Sequence, residues 1–481
     1  MIAITCGVVV VAALIYMALP PKACDLTQVS QRNLYNYYGL TSVDNPLLDE
    51  NAEQMGSINS KCHLFYDHLH LFPPGNLASS KSVIIQADCG AGKTQIRQCI
   101  LSRLPPDSHI LIEIFGRYIN NYLDHFVRNI NIPSEHPYEK IQKYWTKEDF
   151  LQVMLTEIAS RFIDEQYFPI LKSKRAGISL ETRKQAASLL CFYSAKDSST
   201  LCKMINSLLH EETGCFPRDC SIPCKSDALI PGASEMFVAL SEKHRKVKVK
   251  LHTAATDASL RVLLAMHMKT SFSPIPVLER SYRDQLALLI NFLRALQINI
   301  SVVVDSLDES EFFFDKHDTN FTTLQTFVNS MTNDDILTLG LGNTGGGIEM
   351  SSACVFYIFI PRKPTASIKI PWTRPDKIPI INLKWDELQL INYADYVFDY
   401  LRSKSYGQCK PLPDICSLLG GRNLCIDTMK QLRHPRDFHI FFKVLAEHMG
   451  AVCTQRNPPF NANQEDLKSV LDETKLRVLK E

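Results

Sequence analysis

The sequence predicts an α/β fold with a mainly parallel sheet, a helical insertion, a C-terminal helical region and one preceding transmembrane helix. Short apolar runs alternate with stretches of helical periodicity, which is the pattern of a parallel sheet covered by helices. The 481 residues are 45% hydrophobic, which is enough for a large buried core. Residues 2–19 contain no charged side chain, and no later stretch reaches this length without one.

The N-terminal apolar run, IAITCGVVVVAALIYMAL at residues 2–19, has the length of a membrane-spanning helix. At a rise of about 1.5 Å per residue it spans about 27 Å, close to the hydrocarbon thickness of a bilayer. A cleaved signal peptide is the alternative, but such a peptide has a basic segment before a shorter apolar run. Lys22 and Arg32 follow the run and favour a cytosolic position for what comes after it. We therefore expect residues 1–22 to be a single membrane anchor and the main domain to face the cytosol, in a membrane that the sequence does not identify.

The rest of the chain divides by composition and periodicity. The segments are a helical entry segment at 23–80, an α/β domain at 81–130 and 281–370, a mostly helical insertion at 131–280, and a C-terminal helical lid at 371–481. Because the net charge is only +1, no overall electrostatic field points to nucleic acid as a partner. The 15 cysteines are scattered, often inside apolar runs, which favours reduced, buried thiols over a disulfide framework.

The individual elements follow from short apolar runs and from helical spacing, in chain order. The predicted strands are 82–86, 109–115, 302–304 and 355–361. The predicted helices begin at Thr94 and then cover 117–130, 282–297, 319–331, 386–402 and 435–449.

The first chemical motif is GAGKT, within IIQADCGAGKTQIRQCI at 84–100, where a strand is followed by a helix. A loop in this position can turn its backbone N–H groups inward around phosphates, and Gly90 and Gly92 supply the required freedom. Lys93 can reach the β- and γ-phosphates, and the hydroxyl of Thr94 can bind Mg²⁺. The sequence therefore predicts an ATP-binding P-loop, or Walker A motif, formed by Cys89, Gly90, Ala91, Gly92, Lys93 and Thr94.

One position departs from the usual pattern G-x-x-x-x-G-K-[ST]. The first glycine would stand five residues before Gly92, and Ala87 occupies that place. A small residue still fits the first turn of the loop, so we expect nucleotide binding to be retained. The alternative is a glycine-rich strand–helix turn with a lysine there by chance.

The second motif, NISVVVDSLDES at 299–310, has the form of a Walker B segment. Asp305 follows a strand, at the edge where parallel sheets bind ligands, and its carboxylate can hold Mg²⁺. Asp308 or Glu309 can then orient or deprotonate an attacking water. Taken alone, the same residues could be an exposed acidic turn; together with GAGKT they indicate nucleotide binding.

These motifs resemble those of a known family. The D-S-L-D-E form is similar to the second motif of the STAND and NACHT class of P-loop NTPases, relatives of the AAA+ ATPases. A closer resemblance is to a poorly characterised group of bacterial-type predicted P-loop ATPases. It is carried by NPLLDENAEQM at 45–55, GAGKTQIR, VFYIFIP at 355–361, RPDKIPIINLKWDELQL at 374–390 and RHPRDFHIFFKVL at 433–445.

The resemblance implies an ATP-dependent switch or a Mg²⁺-dependent ATPase. It also implies that Arg436 lies in a sensor-like helix, where its guanidinium could bind the γ-phosphate and link nucleotide state to a domain movement. The alternative is that Arg436 pairs locally on its helix. Asn343, in LGLGNTGGG, could be a second polar sensor, although such a glycine cluster is more typical of a loop.

A cysteine-containing stretch, CFPRDCSIPC, has some ligands for a metal site. Cys215, Cys220 and Cys224, with His210 upstream, could bind zinc, but the spacing is not C-x-x-C and favours a surface loop. The run KHRKVKVK at 243–250 could contact anionic lipid, but it is more typical of a solvated face or a protected edge strand.

The sequence thus predicts a membrane-anchored ATP-binding protein that is a Mg²⁺-dependent ATPase or a nucleotide-driven conformational switch. One alternative is a nucleotide-regulated signalling scaffold with negligible hydrolysis. Another is an initiator-like DNA-binding ATPase, which the balanced charge disfavours. Protein partners or a homo-oligomer are compatible with the switch. Trp145, Trp372 and Trp385 show no nucleic-acid stacking pattern, and we expect them to be packing residues.

Overall fold

The computed structural model divides the chain into two compact units. The sheet unit comprises Pro73–Asp88 and Arg103–Asn382, and the helical unit comprises Met1–Phe72, Cys89–Ser102 and Leu383–Glu481. The residues that the structure describes are 34–38, 40, 66–67, 81–104, 108–130, 134–194, 200–201, 203–205, 207–208, 277, 280–314, 320–341, 354–362, 368–404, 411–452 and 460–480.

Five strands form one all-parallel sheet in the order β2-β3-β4-β1-β5. Parallel pairing places Phe115 opposite Asp305, Val304 opposite Ile358, and Ala87 opposite Pro361. This confirms the predicted α/β class and parallel sheet. The strands are β1 (Val83–Ala87), β2 (His109–Phe115), β3 (Asn299–Asp305), β4 (Cys354–Pro361) and β5 (Ile380–Leu383).

Burial along the strands matches their places in the sheet. The central strand β4 is buried at every position, and β3 at every position after Asn299, which fits their nearly continuous apolar sequences. The edge strand β2 alternates, with Ile110, Ile112 and Ile114 buried and the residues between them partly exposed. Apolar runs therefore predicted these strands to within a few residues.

The helices agree with the predicted helical stretches and add several short ones in the C-terminal part. In chain order they are α1 (Leu34–Tyr37), α2 (Lys93–Arg103), α3 (Gly116–Asn129), α4 (Pro137–Tyr144), α5 (Lys147–Phe162), α6 (Phe168–Lys174), α7 (Leu180–Tyr193), α8 (Tyr282–Ala295), α9 (Phe321–Met331), α10 (Asp334–Leu337), α11 (Glu387–Lys404), α12 (Ile415–Leu418), α13 (Arg422–Met429), α14 (Pro435–Val452) and α15 (Gln464–Lys480).

The sheet unit has its own core, in which aromatic residues join the helices. The indole of Trp145 makes an edge contact with Phe126 at 5.0 Å between ring centroids, and its N–H donates to the hydroxyl of Ser330 at 2.9 Å. Phe327 of α9 packs against Phe150 of α5 and against Phe313. Trp145 is therefore a packing residue, as the sequence predicts.

The helical unit has a second, separate core. Helices α11, α13, α14 and α15 contribute to it together with the short helix α1. Phe398 of α11 meets Phe442 of α14 at 5.4 Å between centroids, and Phe438, one turn earlier on α14, is also fully buried. These contacts fix the N-terminal end of α14.

The sequence favours reduced thiols over a disulfide framework, and for three cysteines the structure differs. Cys416 and Cys425 form a disulfide that joins α12 to α13, and Cys99 is also disulfide-bonded. The chain reverses between α12 and α13 at Gly420 and Gly421, both with positive φ, and this brings the two Cα atoms to 5.0 Å. Sequence spacing did not show this turn. Cys89 and Cys354 are free thiols.

Several predictions concern residues outside the described part of the chain. They are the anchor at 1–22, the basic run at 243–250, Asn343, and the cysteines Cys215, Cys220 and Cys224 with His210. Among the described residues, no helix combines the length and apolar character needed to cross a bilayer. Nor do the described side chains include a group of three or more His, Cys, Asp or Glu arranged for a metal ion.

Candidate functional site

The glycine-rich loop lies between the end of β1 and the start of α2, as predicted. Gly90 has φ +80° and Gly92 has φ +99°, both in the left-handed region that favours glycine. Gly90 is also in a crowded position, since an added Cβ would stand 3.0 Å from the Cβ of Arg436. At Gly92 an added Cβ would meet no described atom within 4 Å, so only the backbone conformation requires glycine there.

Ala87, at the place of the missing first glycine, is the last residue of β1. It is fully buried, pairs with Pro361 of β4, and its carbonyl accepts a hydrogen bond from the backbone N–H of Arg362 at 2.9 Å. Because this position has ordinary strand geometry, alanine causes no conformational strain. The departure from the usual pattern therefore leaves the loop conformation unaffected.

The helix that follows the loop begins at Lys93, the residue predicted to contact phosphates. The first helical hydrogen bond runs from the N–H of Ile96 to the carbonyl of Gly92 at 3.0 Å. Lys93 is 7% exposed and Thr94 is partly buried. The first turn of a helix presents N–H groups that have no acceptor within the helix, together with the positive end of the helix dipole, which favours an anion.

Two residues of the C-terminal part of the chain contact this loop within the helical unit: Trp385, which precedes α11, and Arg436, in the first turn of α14. The indole N–H of Trp385 donates to the carbonyl of Ala91 at 3.0 Å. The backbone N–H of Arg436 lies 3.4 Å from the carbonyl of Gly90, and its guanidinium lies 3.8 Å from the sulfur of Cys89. The helical unit thus brings Arg436 to the predicted P-loop, although Arg436 and Gly90 are 346 positions apart in the sequence.

Local sequence explains why Arg436 is held there. Pro435 opens α14, a position where proline is favoured because its missing N–H would have no helical acceptor. The carboxylate of Asp437 accepts from the backbone N–H of Arg433 at 2.9 Å, and the N–H of Phe438 donates to the carbonyl of His434. With Phe438 buried in the core, the first turn of α14 is well defined.

Trp385 is supported by a second aromatic contact. Its ring meets that of Tyr393 edge-on at 5.6 Å between centroids. The hydroxyl of Tyr393 is 2.7 Å from the Nε2 atom of His439, a buried residue of α14, and burial raises the pKa of Tyr393 above its ordinary value. The sequence predicts Trp385 only as a packing residue. Its bond to the P-loop spans 294 positions, a separation over which periodicity carries no signal.

The predicted Walker B acid lies in the sheet unit. Asp305 is the last residue of β3 and is 1% exposed. Ser306 follows with φ +53°, and a short 3₁₀ turn spans Leu307–Glu309. Gly116, at the start of α3, packs against this turn: an added Cβ would stand 2.1 Å from the carbonyl oxygen of Ser306. Only glycine allows so close an approach, so the turn after Asp305 has a defined position.

The two candidates for water activation differ in their surroundings. Asp308 is partly exposed. Glu309 is exposed and forms an ion pair with Arg117 at 3.0 Å, their side chains being 40% and 82% exposed. The carboxylate of Glu309 is therefore already in contact with a cation on the surface of the sheet unit.

The predicted residues fall into two groups. Residues 89–94 and Arg436 belong to the helical unit, and Asp305, Asp308 and Glu309 belong to the sheet unit. Within the sheet unit, β4 lies between β1 and β3, and parallel pairing puts the carboxyl ends of all three at one edge. The shared Mg²⁺ site predicted for Thr94 and Asp305 draws on both units and stays a prediction.

A comparison of the chain with protein families, with curated proteins and with solved structures gives no match. The five-stranded parallel sheet is compatible with the P-loop fold that the sequence resembles.

Proposed function

We propose that this protein is a membrane-anchored ATP-binding protein that acts as a Mg²⁺-dependent ATPase or as a nucleotide-driven conformational switch. The main support is the loop backbone. Gly90 and Gly92, both with positive φ, flank a buried Ala91 immediately before the helix that begins at Lys93. Consecutive N–H groups in such a loop form an anion-binding concavity, and the helix adds its dipole.

In this proposal Lys93 contacts the β- and γ-phosphates, because a lysine at the first position of the helix can place its ammonium group beside them. Thr94 and Asp305 are magnesium ligands, an assignment that rests on the two motifs. Asp308 or Glu309 activates water.

Arg436 is proposed to sense the γ-phosphate. Its position 3.8 Å from Cys89 supports the role, since a guanidinium at the loop is suited to bidentate contact with phosphate oxygens. A local structural role at the loop is the alternative, because the same side chain packs against Gly90. An ATP-specific effect of removing it separates the two roles.

One observation favours the scaffold alternative, in which ATP binds but is scarcely hydrolysed. The carboxylate of Glu309 is paired with Arg117 at 3.0 Å, so it must leave this contact before it can accept a proton from water. On this alternative nucleotide binding changes the conformation of the C-terminal helices, and phosphate release is negligible.

Titration of the full-length protein with ATP and Mg²⁺, combined with a phosphate-release assay, tests the proposal. Lys93→Ala should lose ATP binding, because no other residue of the loop carries a positive charge. Lys468→Ala, at an exposed position of α15, is the matched control and should bind ATP like the wild type. Equal ATP binding by wild type and Lys93→Ala would contradict the P-loop assignment. Binding without phosphate release would select the scaffold.

A further inference from the structure

We infer that Trp385 is a positioning residue, which orients the phosphate-binding loop through the hydrogen bond from its indole N–H to the carbonyl of Ala91. The inference rests on the proposed nucleotide binding and adds to Arg436 a second residue of the C-terminal part of the chain, just before α11. The distance from Nε1 of Trp385 to the oxygen of Ala91 is 3.0 Å, within the normal range of an N–H···O bond.

This hydrogen bond also sets the direction of the next backbone N–H, because of the geometry of the peptide group. In a trans peptide the carbonyl and the next N–H point in opposite directions. A donor that holds the carbonyl of Ala91 therefore directs the N–H of Gly92 away from the indole. The backbone N–H of Arg436 lies 3.4 Å from the carbonyl of Gly90 and, more weakly, directs the N–H of Ala91 in the same manner.

The peptide groups that follow Gly90 and Ala91 are thus both oriented by donors from the C-terminal part of the chain. Their carbonyls face donors of the protein, and their N–H groups are left to face the other way, as an anion-binding nest requires. Without this restraint, rotation about Gly90 and Gly92 would be easy, because glycine has access to a wide range of backbone angles. A rotated peptide would present the carbonyl oxygen of Ala91, which repels phosphate.

Both donors are connected to one helix. Arg436 is the second residue of α14, and Trp385 reaches the same helix through Tyr393, whose hydroxyl contacts His439. A displacement of α14 would weaken both bonds to the loop together. The reverse also holds by linkage: a phosphate that favours the oriented loop favours the docked position of α14. Trp385 therefore couples nucleotide binding to the arrangement of the C-terminal helices.

The test is the full-length variant Trp385→Phe, which keeps an aromatic ring beside Tyr393 and removes the N–H donor together with one ring of the indole. Loss of one hydrogen bond should weaken binding of both MgATP and MgADP by roughly threefold to tenfold. Both nucleotides should be affected, since the restraint acts on the loop and not on the γ-phosphate.

The matched control is Trp372→Phe. Trp372 belongs to the sheet unit, and its indole N–H donates to the carbonyl of Ile378 at 3.1 Å, so the same chemical group is lost from a similar bond. This variant should lose stability to heat while its nucleotide affinity stays unchanged. Trp385→Phe should instead lose nucleotide affinity. It should also show faster amide hydrogen exchange at residues 88–95 in the absence of nucleotide.

The possible results are distinct. Nucleotide binding by Trp385→Phe as tight as by the wild type, with equal exchange at the loop, would overturn the inference and leave the P-loop proposal intact. A wild type that binds no nucleotide would overturn both. If Trp385→Phe fails to fold, Tyr393→Phe, which lacks only the hydroxyl that contacts His439, replaces it. Tyr393→Phe should weaken the binding of both MgATP and MgADP, by a smaller factor than Trp385→Phe. Unchanged affinity of Tyr393→Phe for both nucleotides would count against the inference.

Discussion

Gly90 and Arg436 are in direct contact, since a Cβ atom on Gly90 would stand 3.0 Å from the Cβ of Arg436 and 3.3 Å from its Cδ. The contact joins the glycine-rich loop to the first turn of α14. A change of rotamer at Arg436 could move its Cδ away but not its Cβ, which the backbone fixes. The two glycines of the loop consequently serve different purposes. Gly92 is required only for its positive φ, whereas Gly90 is required both for its positive φ and because a side chain there would collide with Arg436.

The first prediction compares alanine at these two glycines. Gly92→Ala should lower the free energy of unfolding of the protein by about 1 kcal/mol, from the positive φ alone. Gly90→Ala should cost about 1–3 kcal/mol more, because its methyl group also presses on Arg436. Chemical denaturation followed by intrinsic tryptophan fluorescence measures both. Equal losses in the two variants would show that the loop and α14 are not packed as described.

The second prediction concerns the role of Arg436 as a sensor. Arg436→Ala should weaken ATP binding by about tenfold, from the loss of a charge-assisted contact with the γ-phosphate, and should leave ADP affinity within about twofold. It should also remove the ATP-specific protection of residues 430–445 from hydrogen exchange. Arg433→Ala, an exposed arginine just before α14, is the matched control and should change neither. Equal protection of the wild type by ATP and ADP would rule out the sensor role.

The third prediction separates the acidic residues of the sheet unit. Asp305→Asn keeps the size of a fully buried side chain, so the fold should persist while the Mg²⁺ concentration needed for ATP binding rises by roughly tenfold. Glu309→Gln should preserve ATP binding and slow turnover by about 100-fold or more if Glu309 is the general base.

Arg117→Ala is the control for Glu309. An exposed ion pair contributes at most about 1 kcal/mol to stability, so this variant should fold normally with Glu309 released from its partner. On the ATPase hypothesis its turnover should stay the same or rise. A wild type that binds ATP but releases no phosphate, with Arg117→Ala equally inactive, would favour the scaffold.

How much of this arrangement the sequence predicts depends on the range of the interactions. Apolar runs reveal which positions are buried, and so the strand 109–115 and the helix starting near residue 282 agree with the structure. Periodicity does not reveal what covers a buried face. The order of the strands, the disulfide between Cys416 and Cys425 and the bond from Trp385 to Ala91 therefore have no sequence signal.

The candidate site shows the same division. GAGKT predicts its own conformation, because Gly90 and Gly92 are placed where positive φ occurs. Only the family resemblance points to Arg436, and nothing in its local sequence indicates that it touches the loop. The ion pair of Glu309 with Arg117 could have been anticipated only with the sheet order, since β2 leads directly into the helix that carries Arg117.

The fourth prediction concerns pH. Burial raises the pKa of Asp149 from 3.8 to about 7, although its carboxylate accepts hydrogen bonds from the N–H and the hydroxyl of Thr146 at the start of α5. Below about pH 4 the group is protonated in folded and unfolded chains alike. Between that pH and about 7 only the unfolded chain releases the proton, so the free energy of unfolding falls as pH rises. Above about pH 7 the carboxyl is ionised in the folded and the unfolded chain, and the free energy of unfolding no longer changes with pH through this group.

Asp149→Asn tests this directly, because the amide oxygen can still accept both bonds from Thr146 and cannot ionise. Its stability relative to the wild type should increase between pH 4 and pH 7, by at most about 1.4 kcal/mol per pH unit. Glu148, the adjacent carboxyl, contributes to the upward shift, and Glu148→Gln is the control that should reduce the effect without removing it. Parallel pH profiles for wild type and Asp149→Asn would contradict the raised pKa.

The fifth prediction concerns the side of the membrane on which the main domain lies. ATP and Mg²⁺ are available in the cytosol, whereas a disulfide such as Cys416–Cys425 is more typical of an oxidising compartment. Lys22 and Arg32 after the N-terminal run favour the cytosolic side.

We expect carbonate extraction to leave the full-length protein in the membrane pellet. We also expect protease, added to sealed vesicles with their cytosolic face outward, to digest the main domain. Protection of that domain, or a mature N-terminus near Ala23, would identify residues 2–19 as a signal peptide. The domain would then lie where the disulfide is stable and cytosolic ATP is absent, and the ATPase proposal would fail on the same result.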